Sequence, residues 1–308
     1  MDTLEELKTE QLDDRSEFIK RLEAIDPKNL SPKDEKFLYD SVQDYFIKNF
    51  PVDQELVDRI PQEVSILDQK AYLEEFYKDE QRNRAEQDEA LECPAYGFYD
   101  EIDDHCYVNA DSARNAAHLF STIFHECLHF ISINQGAGFN ITPYMQPDEI
   151  NQLNNISEEE KQRYTDEASV VLVEGATKII EQTSLDDMGL DISEDDGYIP
   201  EIQIMTILSE AITKSYEQFL DAYFRKSTED IRKIIELNLL PKDERANYEY
   251  GNIPTGEFAA CLINIGAASE SMKNFYFKED RQSYFEVLNN VDAAAQYYVN
   301  LAEENRDA

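Results

Sequence analysis

The chain has 308 residues, 42% of them hydrophobic with 18 Tyr and 16 Phe, enough to fill one large core or two modest ones. Its 66 acidic residues against 28 basic ones give a formal charge of −38, a field that repels phosphate backbones and anionic membrane surfaces and so argues against nucleic-acid or membrane partners. With 9 Gly and 10 Pro there is little material for long linkers. No apolar run approaches the ~20 residues needed for membrane insertion. The opening segment, Met1 to Arg15, is acidic and lacks the apolar stretch of a secretory signal. Cys93, Cys106, Cys127 and Cys261 contain no Cys-x-x-Cys pair. A reducing cytoplasm is therefore expected, or export by a route that uses no signal peptide.

In chain order, residues from about Asp2 to Glu92 read as helices. Leu4, Leu7, Leu12, Phe18, Ile19 and Leu22 recur at helical spacing among charges. Ser31 caps a second helix expected to run through Lys48, and Pro51 and Pro61 bracket a short third piece. A long charged helix is expected from about Val64 to Glu92, with Leu67, Tyr72, Phe76 and Tyr77 as its buried stripe. The texture changes at Cys93-Pro94. Tyr96 to Asn109 reads as a hairpin, with aromatic and β-branched residues flanking the polar turn Asp100 to Asp104.

Asp111 or Ser112 then caps a helix that continues through Ile133 and ends at Gly136 and Gly138. A helix from Ser157 to Thr183 follows, then an acidic loop from Asp186 to Gly197. Further helices are expected over about Ile199–Phe224, Thr228–Leu239, Thr255–Phe275 and Ser283–Glu304. Within the acidic loop, Asp191 to Gly197 superficially suggests a calcium site. Its Gly comes one place late, and Ile202 stands where a bidentate Glu is required.

The informative stretch is Phe124-His125-Glu126-Cys127-Leu128-His129. Positions i and i+4 share a helix face, so His125 and His129 can hold one zinc ion. Glu126 is adjacent to the first ligand and outside the pair, where it can act as general base toward water activated by the ion. Ile123, Phe124, Leu128, Phe130 and Ile131 make the helix apolar, and imidazoles buried in such a helix need partners. Cys127 faces away from the two histidines and reads as a small core residue.

A catalytic zinc site usually takes three protein ligands. Ser132 and Gln135 stand where the longer motif HExxHxxGxxH would have its Gly and third His. His118 lies two turns earlier on the same helix, too far to join. His105 falls in the predicted hairpin turn and is a weak candidate. Glu174, in Val171-Leu172-Val173-Glu174-Gly175-Ala176-Thr177, is a lone acid in an apolar helix and is the expected third ligand, with Glu167 as runner-up. Gly175 beside it would let a neighbouring helix approach closely.

The pairing of His125-Glu126-x-x-His129 with a downstream Glu174-Gly175-Ala176-Thr177 resembles the gluzincin class of zinc metallopeptidases, which includes the thermolysin-like enzymes. Tyr198-Ile199-Pro200-Glu201 is similar to a segment that follows the Glu-Gly motif in bacterial members. The resemblance covers about residues 95 to 225. The expected fold is α+β, mostly α: an N-terminal helical region over 1–92, then, as the resemblance implies, a zincin-like metallopeptidase domain with a small antiparallel sheet, taken to span 93–308. The resemblance further implies one bound Zn2+, and a hairpin edge strand that pairs with an extended peptide. No counterpart of the thermolysin-like transition-state histidine is present, which leaves Tyr198, Tyr164 or Tyr250 as candidate oxyanion donors. The expected function is zinc-dependent hydrolysis of a protein or peptide, a basic one if the surface charge selects it. The rival expectation is a non-catalytic metal-binding interaction protein that keeps the fold, and a hydrolase of non-peptide amides would share the same site.

Overall fold

A computed structural model describes residues 15–76, 78, 96–137, 139, 157–190, 198–213, 215–226, 230, 265–267 and 269. The chain divides into two compact units, one formed by residues 1–135 with 180–195 and the other by 136–179 with 196–308. The described part is mostly helical with one small three-stranded sheet, an α+β architecture. No helix among the described residues is long and apolar enough to cross a membrane.

In the first unit, residues 15–23 form helix α1. Helix α2, Pro32–Asn49, starts where the sequence predicts: Ser31 and Asp34 make a capping box, with Pro32 in the first turn. Helix α3, Gln54–Glu63, is capped by the Asp53 side chain and carries Pro61 near its end. The expected helix from Val64 does not form there. Val64–Leu67 is strand β1 instead, and the following helix α4 covers Gln69–Phe76. Tyr77 and residues 79–92 of that expectation lie outside the described residues.

The hairpin forms as predicted: β2, Gly97–Asp100, pairs antiparallel with β3, His105–Asn109. Asp104 sits in the turn at φ +53°, a left-handed conformation that Asp tolerates better than most residues. β1 then pairs in parallel with β3, so the sheet order is β1-β3-β2 and the sheet is mixed rather than antiparallel. The run Val64-Ser65-Ile66-Leu67 became a strand because β3, some forty residues on, offers it a partner (Val64 opposite Cys106). Among the described residues β2 is one of the two edge strands, β1 being the other. Asn109 N–H donates to the Tyr96 carbonyl at 2.8 Å. The antiparallel alternation therefore turns the backbone groups of Phe98 toward β3 and those of Gly97 and Tyr99 toward the outer edge, where no strand pairs among the described residues.

Helix α5, Ala116–Asn134, carries the HExxH motif. Ala110–Ser112 forms a 3-10 turn, so the cap falls on Asn115 rather than Asp111 or Ser112, and Asn115 accepts from the His118 amide. Gly136 follows at φ +67°, closing the helix as expected. Gly138 lies outside the described residues.

Helix α6, Glu158–Met188, begins at a Ser157–Glu160 capping box and ends at Gly189 at φ +77°, where Leu190 N–H returns to the Leu185 carbonyl. It runs five residues past the expected Thr183, so Asp186 to Met188 are helical rather than loop, while residues 191–197 lie outside the described set. It contributes residues to both units. The single helix expected over Ile199–Phe224 is two, α7 (Ile199–Ile212) and α8 (Tyr216–Arg225), because Ser215 caps the second through the Gln218 amide. Of the later expected helices, residues 230, 265–267 and 269 are helical and the rest lie outside the described residues.

The core of the first unit is aromatic. Phe120 and Phe124 of α5 meet Phe18 of α1 and Tyr45, Phe46 and Phe50 of and beyond α2, mostly edge to face at centroid distances of 5.0–6.2 Å. In the second unit, Phe139 stacks on Phe219 at 5.6 Å, and Thr177 bonds the Tyr223 hydroxyl at 2.8 Å. Gly175 performs the role expected of it. A Cβ there would stand 2.7 Å from the Glu201 carbonyl oxygen and 2.8 Å from Met205 Cβ, so α6 and α7 touch backbone to backbone.

A polar network ties the hairpin turn to α3 and α5. Asp104 accepts from Tyr99 Oη at 2.8 Å, Asn134 Nδ2 at 2.6 Å and Arg59 at 2.8 Å. Burial pushes this carboxyl upward, but the hydrogen bonds from Asn134, Tyr99 and Arg59 outweigh it and hold its pKa below the ordinary value. Its contribution to stability is therefore complete above about pH 4 and is lost as pH falls through the folded value. Asp104→Asn is expected to lower the thermal midpoint at neutral pH by about 2–4 °C and by less at about pH 3. Equal drops at the two pH values, read by circular dichroism, would show that the charge contributes nothing.

Candidate metal centre

Helix α5 is buried along almost its whole length, so each stripe of its surface needs its own partner. Phe120 and Phe124 face the aromatic core. Thr122, Glu126, Phe130 and Asn134, one turn apart, lie under β2. Gly97 abuts Thr122 and Glu126, the Tyr99 ring lies 6.2 Å from the Phe130 ring, and Asn134 reaches the Tyr99 hydroxyl at 3.3 Å. Ser121, His125 and His129 form the adjacent stripe, and α6 faces it through Glu181. Ser121 Oγ donates to Glu181 Oε1, and His125 Nδ1 lies 2.9 Å from Glu181 Oε2.

Glu181 has no exposed surface. A carboxylate accepts, so His125 Nδ1 is the donor of that bond, and in the neutral imidazole Nε2 then presents a lone pair. That Nε2 lies 3.1 Å from His129 Nε2, with both rings 7% exposed. Two nitrogens each about 2.0–2.1 Å from one tetrahedral ion stand roughly 3.3 Å apart, so the observed separation fits a shared cation. Among the described residues, one group could hold a metal ion. One ligand atom each from His125, His129 and Glu174 lies within 4.8 Å of the others. Glu174 is half-buried on α6, two turns before Glu181 on the same continuous helix. The donor set, two nitrogens and one oxygen with a carboxylate behind the first imidazole, suits a borderline divalent ion.

Glu126 is 5% exposed and is not one of the three ligand residues. Its carboxylate lies against the backbone of the edge strand: a Cβ at Gly97 would stand 2.8 Å from Glu126 Oε1. The motif residues are thus divided between two surfaces of the helix, histidines toward α6 and glutamate toward β2.

The remaining candidates are engaged elsewhere. His105 bonds Ser65 Oγ at 2.8 Å and pairs with Glu63 at 3.6 Å on the sheet. His118 Nδ1 accepts from the Arg114 amide, and its ring abuts Tyr96. Glu167 accepts from Ser269 at 2.6 Å. Cys127 is fully buried, and desolvation raises its thiol pKa above the ordinary range, as befits a core residue. Tyr198 stands at the start of α7, Arg163 lies over the Tyr164 ring, and Tyr250 lies outside the described residues. Glu181 was missed by sequence reasoning. Its only local signal is that it follows Ile179 and Ile180 on the stripe carrying Glu174, seven residues earlier.

Comparison with family models, with curated proteins and with solved structures finds no match to this chain. The site therefore rests on its own geometry. Glu181→Gln keeps the shape but loses the charge that holds the His125 tautomer, and is expected to weaken metal binding roughly 10–100-fold. His129→Ala, which removes a ligand, is expected to weaken it further. Competition against a chromophoric chelator measures both, and unchanged affinity in Glu181→Gln would remove Glu181 from the site.

Proposed function

We propose that the chain is a zinc-dependent peptidase of the zincin-like kind, with His125, His129 and Glu174 holding one Zn2+ and Glu126 as general base. The observation that carries this reading is the placement of Glu126. It is a buried carboxylate next to a ligand, outside the ligand set, and pressed against an edge strand. A site that served only to hold the fold together needs ligands and no base.

Zinc bound there supplies Lewis acidity, polarising a carbonyl oxygen and acidifying nearby water. Glu126 takes the proton of the attacking water and delivers it to the leaving amine, so one carboxylate acts as base and then as acid. Glu181 keeps His125 in the tautomer that presents Nε2. The outward backbone groups of Gly97 and Tyr99 bond an extended peptide as an added strand and lay its backbone beside Glu126. That geometry favours a peptide over a compact amide. The charge of −38 favours basic sequences.

Zinc content and cleavage of casein-like substrates test the reading. Wild-type protein is expected to bind one zinc and to cleave. Glu126→Gln is expected to keep the zinc and lose about 10²–10⁴-fold in kcat. Equal activity in the two proteins, or none in the wild type across a broad peptide library, would overturn it.

A further inference from the structure

The inner face of β2 meets α5 through a residue with no side chain, and what lies beneath it is Glu126. A Cβ on Gly97 would stand 2.8 Å from Glu126 Oε1, 3.0 Å from Glu126 Cγ and 2.9 Å from Thr122 Cγ2. Such separations are too short for carbon, so with any other residue at position 97 something must move.

Three neighbours could move: Thr122, the strand and the Glu126 carboxylate. Thr122 donates its hydroxyl to the His118 carbonyl at 3.0 Å, which fixes its rotamer and leaves its methyl toward Gly97. The strand is pinned two residues on, where Tyr99 rests on Phe130 and its hydroxyl joins the Asp104–Asn134 network. On the other side Tyr96 is held by the amide of Asn109. The Glu126 carboxylate, at the end of a side chain with three rotatable bonds, is the part that yields. Thr122 and Glu126, one turn apart on α5, thus form a seat that only a bare backbone fits.

We propose that Gly97 is a positioning residue for Glu126: the missing Cβ fixes where the carboxylate stands relative to the imidazoles one residue before and three residues after it. The catalytic consequence rests on the peptidase reading above, whereas the contact itself does not. Gly97 also supplies one of the two outward-facing backbone positions of the edge strand. The same residue therefore sets the height of an added peptide strand above the base.

Two measurements separate the contact from the function. In kinetics, Gly97→Ala is expected to keep wild-type zinc stoichiometry while kcat falls on the order of 10²-fold, the loss that a displacement of about 1 Å produces, with a smaller change in KM. Adding Thr122→Ser, which deletes the methyl at 2.9 Å, is expected to restore roughly tenfold in kcat. A purely structural role predicts zinc and activity lost together and no rescue. In thermal unfolding, Gly97→Ala is expected to lower the midpoint in the wild type by at least about 2 °C more than in a Glu126→Ala background, a readout that needs no turnover.

If wild-type protein cleaves nothing, the peptidase reading fails while the thermal cycle still tests the contact. If Gly97→Ala alone is insoluble, the Gly97→Ala/Thr122→Ser protein is measured against Thr122→Ser in the same two assays. Wild-type kcat in the Gly97→Ala protein, or identical midpoint shifts with and without the Glu126 side chain, would overturn the proposal.

Discussion

Glu181 is a carboxylate sealed from water, and the arrangement of α5 against α6 depends on how that charge is satisfied. Leaving such a group unpaired costs several kcal/mol. Ser121 and His125, one turn apart on α5, both bond it, one to each oxygen. This fixes the side of α5 that meets α6, the tautomer of His125 and the direction of its Nε2. Two turns back along the same helix stands Glu174. The three residues that could hold a metal ion thus stand on two helices, with no loop residue among them.

The same helix has no spare surface. Its aromatic stripe fills the core of the first unit, its 122-126-130-134 stripe supports β2, and its histidine stripe meets the buried glutamate. A helix used on all sides cannot rotate to relieve a misfit on one of them. That rigidity is what a metal centre needs, because ligand directions must hold within a few tenths of an ångström. It also concentrates charge. Glu126, Glu174 and Glu181 bring three carboxylates near two imidazoles in a protein whose net charge is already −38. A divalent cation bound there would reduce that local excess more than any single protonation does.

How far the sequence disclosed this differs by residue. His125 and His129 were legible because i and i+4 have only one geometric meaning on a helix, and Glu174 because an acid stands out in an apolar run. The hairpin was legible because its partners are close in sequence. β1 was not. Val64-Ser65-Ile66-Leu67 precedes Tyr72 and Phe76 at spacings a helix also satisfies, and only parallel pairing with β3 makes it a strand. The break between α7 and α8 was carried by Ser215 with no Gly or Pro to announce it, although Ser215-x-x-Gln218 is a capping pattern. Glu181 was hidden because a glutamate in a charged helix ordinarily faces water. Its burial is a property of Ser121 and His125, about sixty residues away in sequence.

Gly97 illustrates the limit from the other direction. As a sequence feature it is one glycine in an aromatic strand, a pattern that usually marks a bulge or a close approach without saying to what. The structure supplies the object of the approach, Glu126, and this changes the meaning of the edge strand. A strand whose outer backbone groups are unpaired invites pairing with another chain, a liability that proteins ordinarily blunt with charge or bulges. Here, among the described residues, no strand pairs with the outward rungs at Gly97 and Tyr99, and Gly97 sits against a buried carboxylate next to a cluster fit for a cation. An unpaired edge is hazardous anywhere on a protein surface, and among the described residues this one lies against Glu126, next to the His125–His129–Glu174 group that could hold a cation.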